Sequence, residues 1–370
     1  MATGLNRMPV CSLTFNAKGE KRAMKDMNRR DFMKTVVIGG ASLGLGSAVW
    51  HKPLEALASG KYDIGQCKSV RIKCVTELGW YDTKVLIGQM KKAGGPKTNQ
   101  WTIPWDIDNA AGSCTLIDME TLDGRHHKFL LDTGWNTQYM DKCFKREGVD
   151  KMLQKGDIEC LVISHEHLDH YWGLESTLKN NPEIKIFIPS TFYSEGMDFL
   201  KGTDFPAANA SNTIPHRGQL VKCKPGHINK LYDGCALVTF DLPIVIRVRG
   251  EESLYFNVKD KGMVCVTGCC HQGILTFAEF ARQKIVGGDN MYGVYGGLHI
   301  APFGPIKPER AHLITGMADY NFEKVACNHC TGLKAVEKMI DLGYPVVKGT
   351  GRYSSVSDLY VGAGDEVFFG

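Results

Sequence analysis

The feature that most constrains this 370-residue chain is a junction. The apolar run Cys160-Leu161-Val162-Ile163 stops at Ser164 and gives way at once to His165-Glu166-His167-Leu168-Asp169-His170. Consecutive apolar residues ending in two β-branched ones read as a short strand buried on both faces. A transition-metal ion needs neutral imidazoles or carboxylates converging from a short, stiff segment, and histidines two apart in extended chain can face one ion. His165 and His167 supply that pair. Asp169 and His170 follow closely enough to hold a second ion. Two metals about 3.5 to 4 Å apart lower the pKa of a shared water and clamp both the attacking and the leaving oxygens.

Around this junction the chain alternates strand-like and helical stretches from about Lys61 onward. Ser69 to Val75, Cys114 to Met119 and Lys128 to Leu131 read as strands, the last two joined by an Asp123-Gly124 turn. Thr137 to Leu153 reads as one helix, Ile184 to Ile188 as a strand, and Tyr193 to Leu200 as a helix. Leu237 to Val248 and Met263 to Thr267 read as strands. So do the short runs Tyr292 to Tyr295 and Lys324 to Ala326, separated by helices near 274–282, 308–318 and 333–342. Two β-rich halves with their own helices predict an α/β (α+β) fold of two mixed β-sheets packed face to face, with helices on the outer faces. Gly202 to Arg217 is polar and turn-rich and reads as a long surface loop near the site.

The histidine cluster, with Phe129-Leu130-Leu131-Asp132-Thr133-Gly134 before it, resembles the metallo-β-lactamase superfamily, whose H-x-H-x-D-H motif is present in full. The resemblance runs from about Cys114 to Gly351. It implies the αββα four-layer sandwich of that family, one domain over residues 61–370, and a second-sphere bracing role for Asp132. A redox branch of the superfamily carries Glu where this chain has His167, which favours hydrolysis. Three further histidines stand at strand ends: His271 in Gly268-Cys269-Cys270-His271, His299 in Gly296-Gly297-Leu298-His299, and His329 in His329-Cys330-Thr331-Gly332. Their succession is similar to the branch named after dihydropterin-ribofuranosylaminobenzene-phosphate synthase. On that resemblance His271 and His329 complete one metal each, with His299 as a further candidate. The family's bridging aspartate has no plain counterpart; Gly268-Cys269 or His271 occupies its place, and Gly288-Asp289 is a weak substitute.

Other candidates are less informative. His216 could touch substrate from the long loop, and Trp172 either narrows the mouth of the site or packs with Tyr171 against the loop. His51, His126, His127, His227 and His312 lack a ligand context. The 13 cysteines are scattered, so most are expected to be buried thiols, with Cys327-x-x-Cys330 a possible redox or metal pair.

The first 58 residues read as an export signal. Asn28-Arg29-Arg30-Asp31-Phe32-Met33-Lys34 precedes the uncharged stretch Thr35 to Val49 and the small-x-small site Ala56-Leu57-Ala58. The paired arginines resemble the twin-arginine (Tat) signal of bacterial proteins that fold before export. This implies a periplasmic protein, a passing partnership with the Tat machinery and no stable membrane span in the mature form. That segment holds nine Lys/Arg against four Asp/Glu, which leaves 35 positive and 36 negative residues for the rest. A near-neutral body gives no argument for a nucleic-acid partner.

The expectation is therefore an exported hydrolase acting on a small-molecule ester, lactone, amide or phosphoester. A metal-bound hydroxide, oriented by Asp169, would attack. Zn2+ is the expected metal, two ions per chain, with Mn2+ or Fe2+ as alternatives. Two other readings stay open: a synthase-like transferase on a pterin or aminobenzene phosphate, and a periplasmic metal-binding protein without turnover.

Overall fold

The computed structural model describes residues 60–370, together with the backbone of a short antiparallel pair, Leu13–Phe15 against Lys21–Ala23. The twin arginines, the uncharged stretch Thr35 to Val49 and Ala56-Leu57-Ala58 lie outside the described residues.

Strands β1 (Cys67–Thr76), β2 (Cys114–Thr121) and β3 (His126–Leu131) run antiparallel, and β4 (Cys160–Val162), β5 (Lys185–Pro189) and β6 (Leu220–Cys223) continue from β3 in parallel. In the second half, β7 (Ile228–Tyr232), β8 (Cys235–Ile244), β9 (Val248–Val258) and β10 (Gly262–Thr267) are antiparallel. Then β11 (Met291–Gly297) and β12 (Lys324–Asn328) lie parallel to β10, and β13 (Glu366–Phe369) pairs with β1.

Side-chain alternation along the strands builds the layers. On β3 and β4, Phe129, Leu131 and Val162 face inward, where they share a core with Leu254, Phe256 and Val264 of the second half. The rings of Phe129 and Phe256 stack at 6.1 Å across the interface. Leu130, Leu161 and Ile163 face the other way, onto Met140 and Phe144 of α2 (Thr137–Glu147), the helix after α1 (Thr83–Lys92), and onto Leu153 of α3 (Val149–Lys155). On the opposite outer face, Tyr255 and Phe240 pack on Phe277 and Phe280 of α7 (Ile274–Lys284), the helix that follows α4 (Leu168–Tyr171), α5 (Leu174–Leu178) and α6 (Ser194–Leu200). Two sheets with helices outside is the arrangement the sequence predicts. The sheets are also hydrogen-bonded to each other, through one parallel pair between Val258 and Cys67.

Two expected elements are divided. The helix over 137–153 breaks at Gly148, whose φ of 73° ends α2 and caps it. The strand over 237–248 is the hairpin β8–β9, turned by Ile246 and Arg247 at φ 53° and 58°. Two successive left-handed residues make the tight turn that suits a hairpin, although the usual Asn or Gly is missing. The turn is held from outside: Ile246 N–H donates to Pro96 O (2.6 Å), and Gln100 N–H donates to Ile246 O (3.2 Å).

The long loop 202–217 contains a short 3-10 turn, Pro206–Ala208, and Phe205 packs on Trp101 at 4.5 Å. All twelve described cysteines are buried and free of disulfides. Among the described residues, no helix is long and apolar enough to cross a membrane.

Candidate metal centre

The C-terminal ends of five strands supply the site. Asp132 follows β3, Ser164 and the histidine loop follow β4, and Cys269 with His271 follows β10. His299 follows β11 and His329 follows β12. In α/β sheets this is where chain turns most often collect ligand-binding groups.

Asp132 organises the centre. It sits at φ 64°, a left-handed conformation that Asp and Asn adopt more readily than most residues. Its Oδ1 accepts from Ser164 N–H (2.7 Å), and its Oδ2 accepts from Ser164 Oγ–H (2.8 Å) and from His170 Nδ1–H (2.6 Å). With the Ser164 proton committed to Asp132, His165 Nδ1–H donates to Ser164 Oγ at 2.8 Å. One buried carboxylate thus fixes the tautomers of two histidines and turns their Nε2 atoms inward, as oxygen partners behind metal-binding imidazoles generally do. Gly268 is required beside it, because a Cβ there would lie 2.2 Å from Ser164 Oγ and 2.7 Å from Asp132 Oδ2.

The remaining rings are anchored in the same manner. His329 Nδ1–H donates to Glu77 O (2.8 Å), and His271 Nδ1 meets Glu251 Oε1 (2.9 Å) while its N–H donates to Glu251 Oε2 (2.8 Å). His167 is reversed: its Nε2–H donates to Val245 O (3.0 Å) at the hairpin tip, which leaves Nδ1 facing inward. Behind the loop, buried Gln100 donates to Glu166 O (2.7 Å) and accepts from Leu168 N–H (3.1 Å), which clamps the histidine segment.

Two triads result. His165, His167 and His271 form one, and Asp169, His170 and His329 form the other; within each, the ligand atoms lie within 4.8 Å of one another. His165 Nε2 and His167 Nδ1 face each other at 2.9 Å, and His170 Nε2 and His329 Nε2 at 3.1 Å. Asp169 Oδ2 stands 3.4 Å from His329 Nε2 and 3.7 Å from His170 Nε2. Because their opposite ring nitrogens are committed as donors, the inward nitrogens of His165 and His167 present lone pairs to each other, an arrangement a shared cation satisfies; in the second triad a proton on His329 beside Asp169 takes the place a cation would fill. Neutral imidazoles with one carboxylate suit Zn2+, and also Mn2+ or Fe2+. Gly79 keeps the edge of the second triad open, since a Cβ there would stand 2.7 Å from Asp169 Oδ2.

The electrostatics agree with that division. Burial, then the surrounding imidazoles, push His165 and His271 well below the usual histidine range, and burial with the neighbouring His271 takes His167 down to about 3. These three rings are neutral and ready to ligate. In the second triad burial is overcome: His170 and His329 hold Asp169 well below the usual carboxylate range, and Cys330 and Asp169 raise His329 to about 10.

A pH dependence follows for the metal-free protein. His167 is lowered on folding, so its contribution to stability is present above the unfolded value of about 6.5 and is lost as the pH falls toward 3. His329, raised to about 10, contributes fully below about 6.5 and loses that contribution as the pH rises through 10. The urea midpoint of chelator-treated protein is expected to drop between pH 7 and pH 5, with a smaller drop in His167→Gln. Parallel pH profiles for the two proteins would contradict this assignment.

The other sequence candidates fall outside the triads. His299 stands beside His271, ring centroids 4.4 Å apart, and groups with Cys269 and His271. Asp289 is an exposed partner of Lys61 and no substitute for a bridging carboxylate. His216 Nε2–H donates to Ile184 O (2.7 Å) and serves the loop. Trp172 does not narrow the mouth; it is buried and packs on Trp101 at 4.6 Å, while Tyr171 O–H donates to Gly196 O (2.7 Å). Glu166, inside the motif, also points away, accepting from Trp101 Nε1–H (3.2 Å) and Tyr193 N–H (3.0 Å), and burial pushes it up to about 8. Cys330 meets Cys269 at 3.3 Å between sulfurs, and Cys327 belongs to no metal-competent group among the described residues. Sequence reasoning missed Ser164, Glu251, Gln100, Glu77 and Val245; the last two act through backbone carbonyls, which leave no side-chain signal.

A cavity of about 290 Å³ opens on His329, walled by Trp80, Tyr81, Pro302, Val336 and Tyr360, with Lys334 among its lining residues. Of the second triad, His329 lines it.

Residues 107–232 match the profile of the Metallo-beta-lactamase superfamily. Over that stretch the chain is similar to the superfamily's domain. The matched span holds Asp132 and the whole histidine loop, while His271, His299 and His329 lie beyond it. The chain is 26% identical over 218 residues to 7,8-dihydropterin-6-methyl-4-(beta-D-ribofuranosyl)-aminobenzene-5'-phosphate synthase of Methanocaldococcus jannaschii, covering 48% of this chain and 68% of that protein. Among solved structures it is similar to Zn(2+)-bound PqqB from Methylobacterium extorquens, with a TM-score of 0.45, 10% identity, and 81% and 99% of the two chains covered. It is also similar to a quorum-quenching N-acyl homoserine lactone lactonase, with a TM-score of 0.34, 15% identity, and 71% and 92% covered.

Proposed function

We propose that this chain is an exported metal-dependent hydrolase of small molecules bearing an ester, lactone, amide or phosphoester. The observation that carries this reading is the pair of triads, each with its ligand atoms turned inward by oxygen partners behind the rings. Held there, two divalent ions would supply Lewis acidity and a water made nucleophilic at neutral pH. The chain's own residues do the rest. Asp132, through Ser164 and His170, keeps both halves of the site in register. Asp169, flanked by His170 and His329, stays ionised and would orient the nucleophile at the second triad. Trp80, Tyr81 and Tyr360 form an apolar wall for a substrate entering beside His329. The twin arginines and following uncharged stretch support delivery to the periplasm by the Tat route, after the metals are loaded.

The relative from M. jannaschii supports a second reading, a transferase on a pterin or aminobenzene phosphate. The two differ in stoichiometry, since a hydrolase consumes only water and a synthase needs a second organic substrate. The test is metal analysis of purified protein, followed by phosphoester, lactone and β-lactam panels with product identification. Two ions per chain and turnover with water alone support the hydrolase. A stoichiometry near zero, or turnover only with a second organic substrate, overturns it.

A further inference from the structure

The two triads lack a ligand that belongs to both. Among the described residues no carboxylate fills that place: Asp169 belongs to the second triad, Asp132 binds Ser164 and His170 from behind, and Glu251 binds His271 from behind. The atom that does reach both sides is the sulfur of Cys269. Its Sγ lies 3.1 Å from His170 Nε2. It also forms metal-competent groups with His165 and His170, with His329 and Cys330, and with His271 and His299. It therefore has two histidines of the first triad and two of the second within 4.8 Å. Donor atoms on one tetrahedral zinc, at roughly 2.0 to 2.3 Å from the ion, stand about 3.3 to 3.8 Å apart, so a sulfur so placed can join either ion's coordination sphere.

Resting on the two-metal reading above, we propose that Cys269 is a metal ligand shared by the two triads, which puts a thiolate where a bridging carboxylate is otherwise expected. Buried cysteines usually pack as small apolar residues. Cys269 instead faces imidazole nitrogens and a second thiol, and it is 3% exposed. The backbone is shaped to present it. Cys270 adopts φ 60°, and the side chains of Cys269 and His271 on either side of it both enter the site. Cys330 lies behind the sulfur, its Sγ 3.3 Å from Cys269 Sγ and 3.5 Å from Cys269 O. Gly297 makes room for that contact, since a Cβ there would stand 2.6 Å from Cys330 Sγ. On coordination the Cys269 thiol releases its proton to solvent, and no electron is transferred. Sulfur in the ligand set shifts the centre's preference toward softer ions such as Zn2+ and Cd2+ and away from Mn2+.

The test uses full-length protein stripped with chelator and reloaded with Co2+, followed by metal analysis and absorption spectroscopy. The expected result is two cobalt ions per chain and a near-ultraviolet thiolate-to-cobalt band that disappears in Cys269→Ser and survives in Cys330→Ser. X-ray absorption at the zinc edge of the unmodified protein, which needs no variant, should show a sulfur scatterer at about 2.3 Å. Two bound ions with no thiolate band and only nitrogen and oxygen scatterers overturn the inference and leave the two-metal reading intact. A band lost in Cys330→Ser and kept in Cys269→Ser overturns the assignment to Cys269. Failure to bind metal sinks the underlying reading and this inference with it.

Discussion

His167→Ala is expected to lower kcat/KM by roughly 100-fold or more while leaving the metal-free protein folded. The loss is large because the alanine removes one of three ligands from the first triad, where even partners behind metal ligands are worth about 10- to 100-fold in affinity or activity. The structural cost is small by comparison. The His167 side chain makes one hydrogen bond outside the triad, to Val245 O, and losing it leaves a carbonyl at a hairpin tip worth about 1 kcal/mol. The variant also relieves crowding, since His165 and His271 each lose a neighbouring imidazole ring. Metal analysis, steady-state kinetics and urea unfolding with and without chelator separate these contributions. Wild-type protein should be stabilised by metal according to its affinity, and the variant should lose the part due to the first ion. Activity within a few-fold of wild type would refute the role given to the first triad.

Asp132→Ala is expected to be the most destabilising single change at the site. It strands the Ser164 N–H, the Ser164 hydroxyl and the His170 Nδ1–H without an acceptor in a buried place. Each such loss costs about 1 to 3 kcal/mol, and alanine at φ 64° adds about 1 kcal/mol more. Together they rival the whole stability of an ordinary domain, about 5 to 15 kcal/mol. Asp132→Asn keeps the left-handed backbone and one acceptor oxygen, so it should fold. It places an amide where the carboxylate met Ser164 or His170, and metal affinity should fall about 10- to 100-fold. The expected order of denaturation midpoints is wild type, then Asp132→Asn, then Asp132→Ala. An Asp132→Ala protein as stable as wild type and fully metal-loaded would show that the carboxylate does not brace the site.

What the sequence shows plainly here is what local pattern determines. The buried run Cys160 to Ile163 becomes β4 and its immediate continuation, and its alternation puts Val162 in one core and Leu161 with Ile163 in the other. The histidine loop, Asp132, His271 and His329 are side chains at strand ends, so their chemistry can be read in one dimension, and the structure brings them together. The hairpin tip is different. Val245 contributes only a carbonyl, and Ile246 and Arg247 turn the chain without the residues that normally mark such a turn. Their conformation is imposed from outside, by hydrogen bonds to Pro96 O and from Gln100 N–H. Cys269 is a partial case: the sequence marks Gly268-Cys269 as one place for a bridging ligand, and the tertiary contact with His170, nearly a hundred residues earlier in the chain, is what singles out its sulfur. Gly148 could have been read as a helix stop, and was hidden by the apolar periodicity that runs through it into α3.

The central claim is that two ions sit in two triads. Its most direct test is a crystal structure of metal-replete protein, with anomalous scattering collected at the absorption edge of the metal found by elemental analysis. The account predicts two peaks about 3.5 to 4 Å apart, one coordinated by His165, His167 and His271 and the other by Asp169, His170 and His329. No peak at those residues, or a single ion held by other side chains, would contradict it.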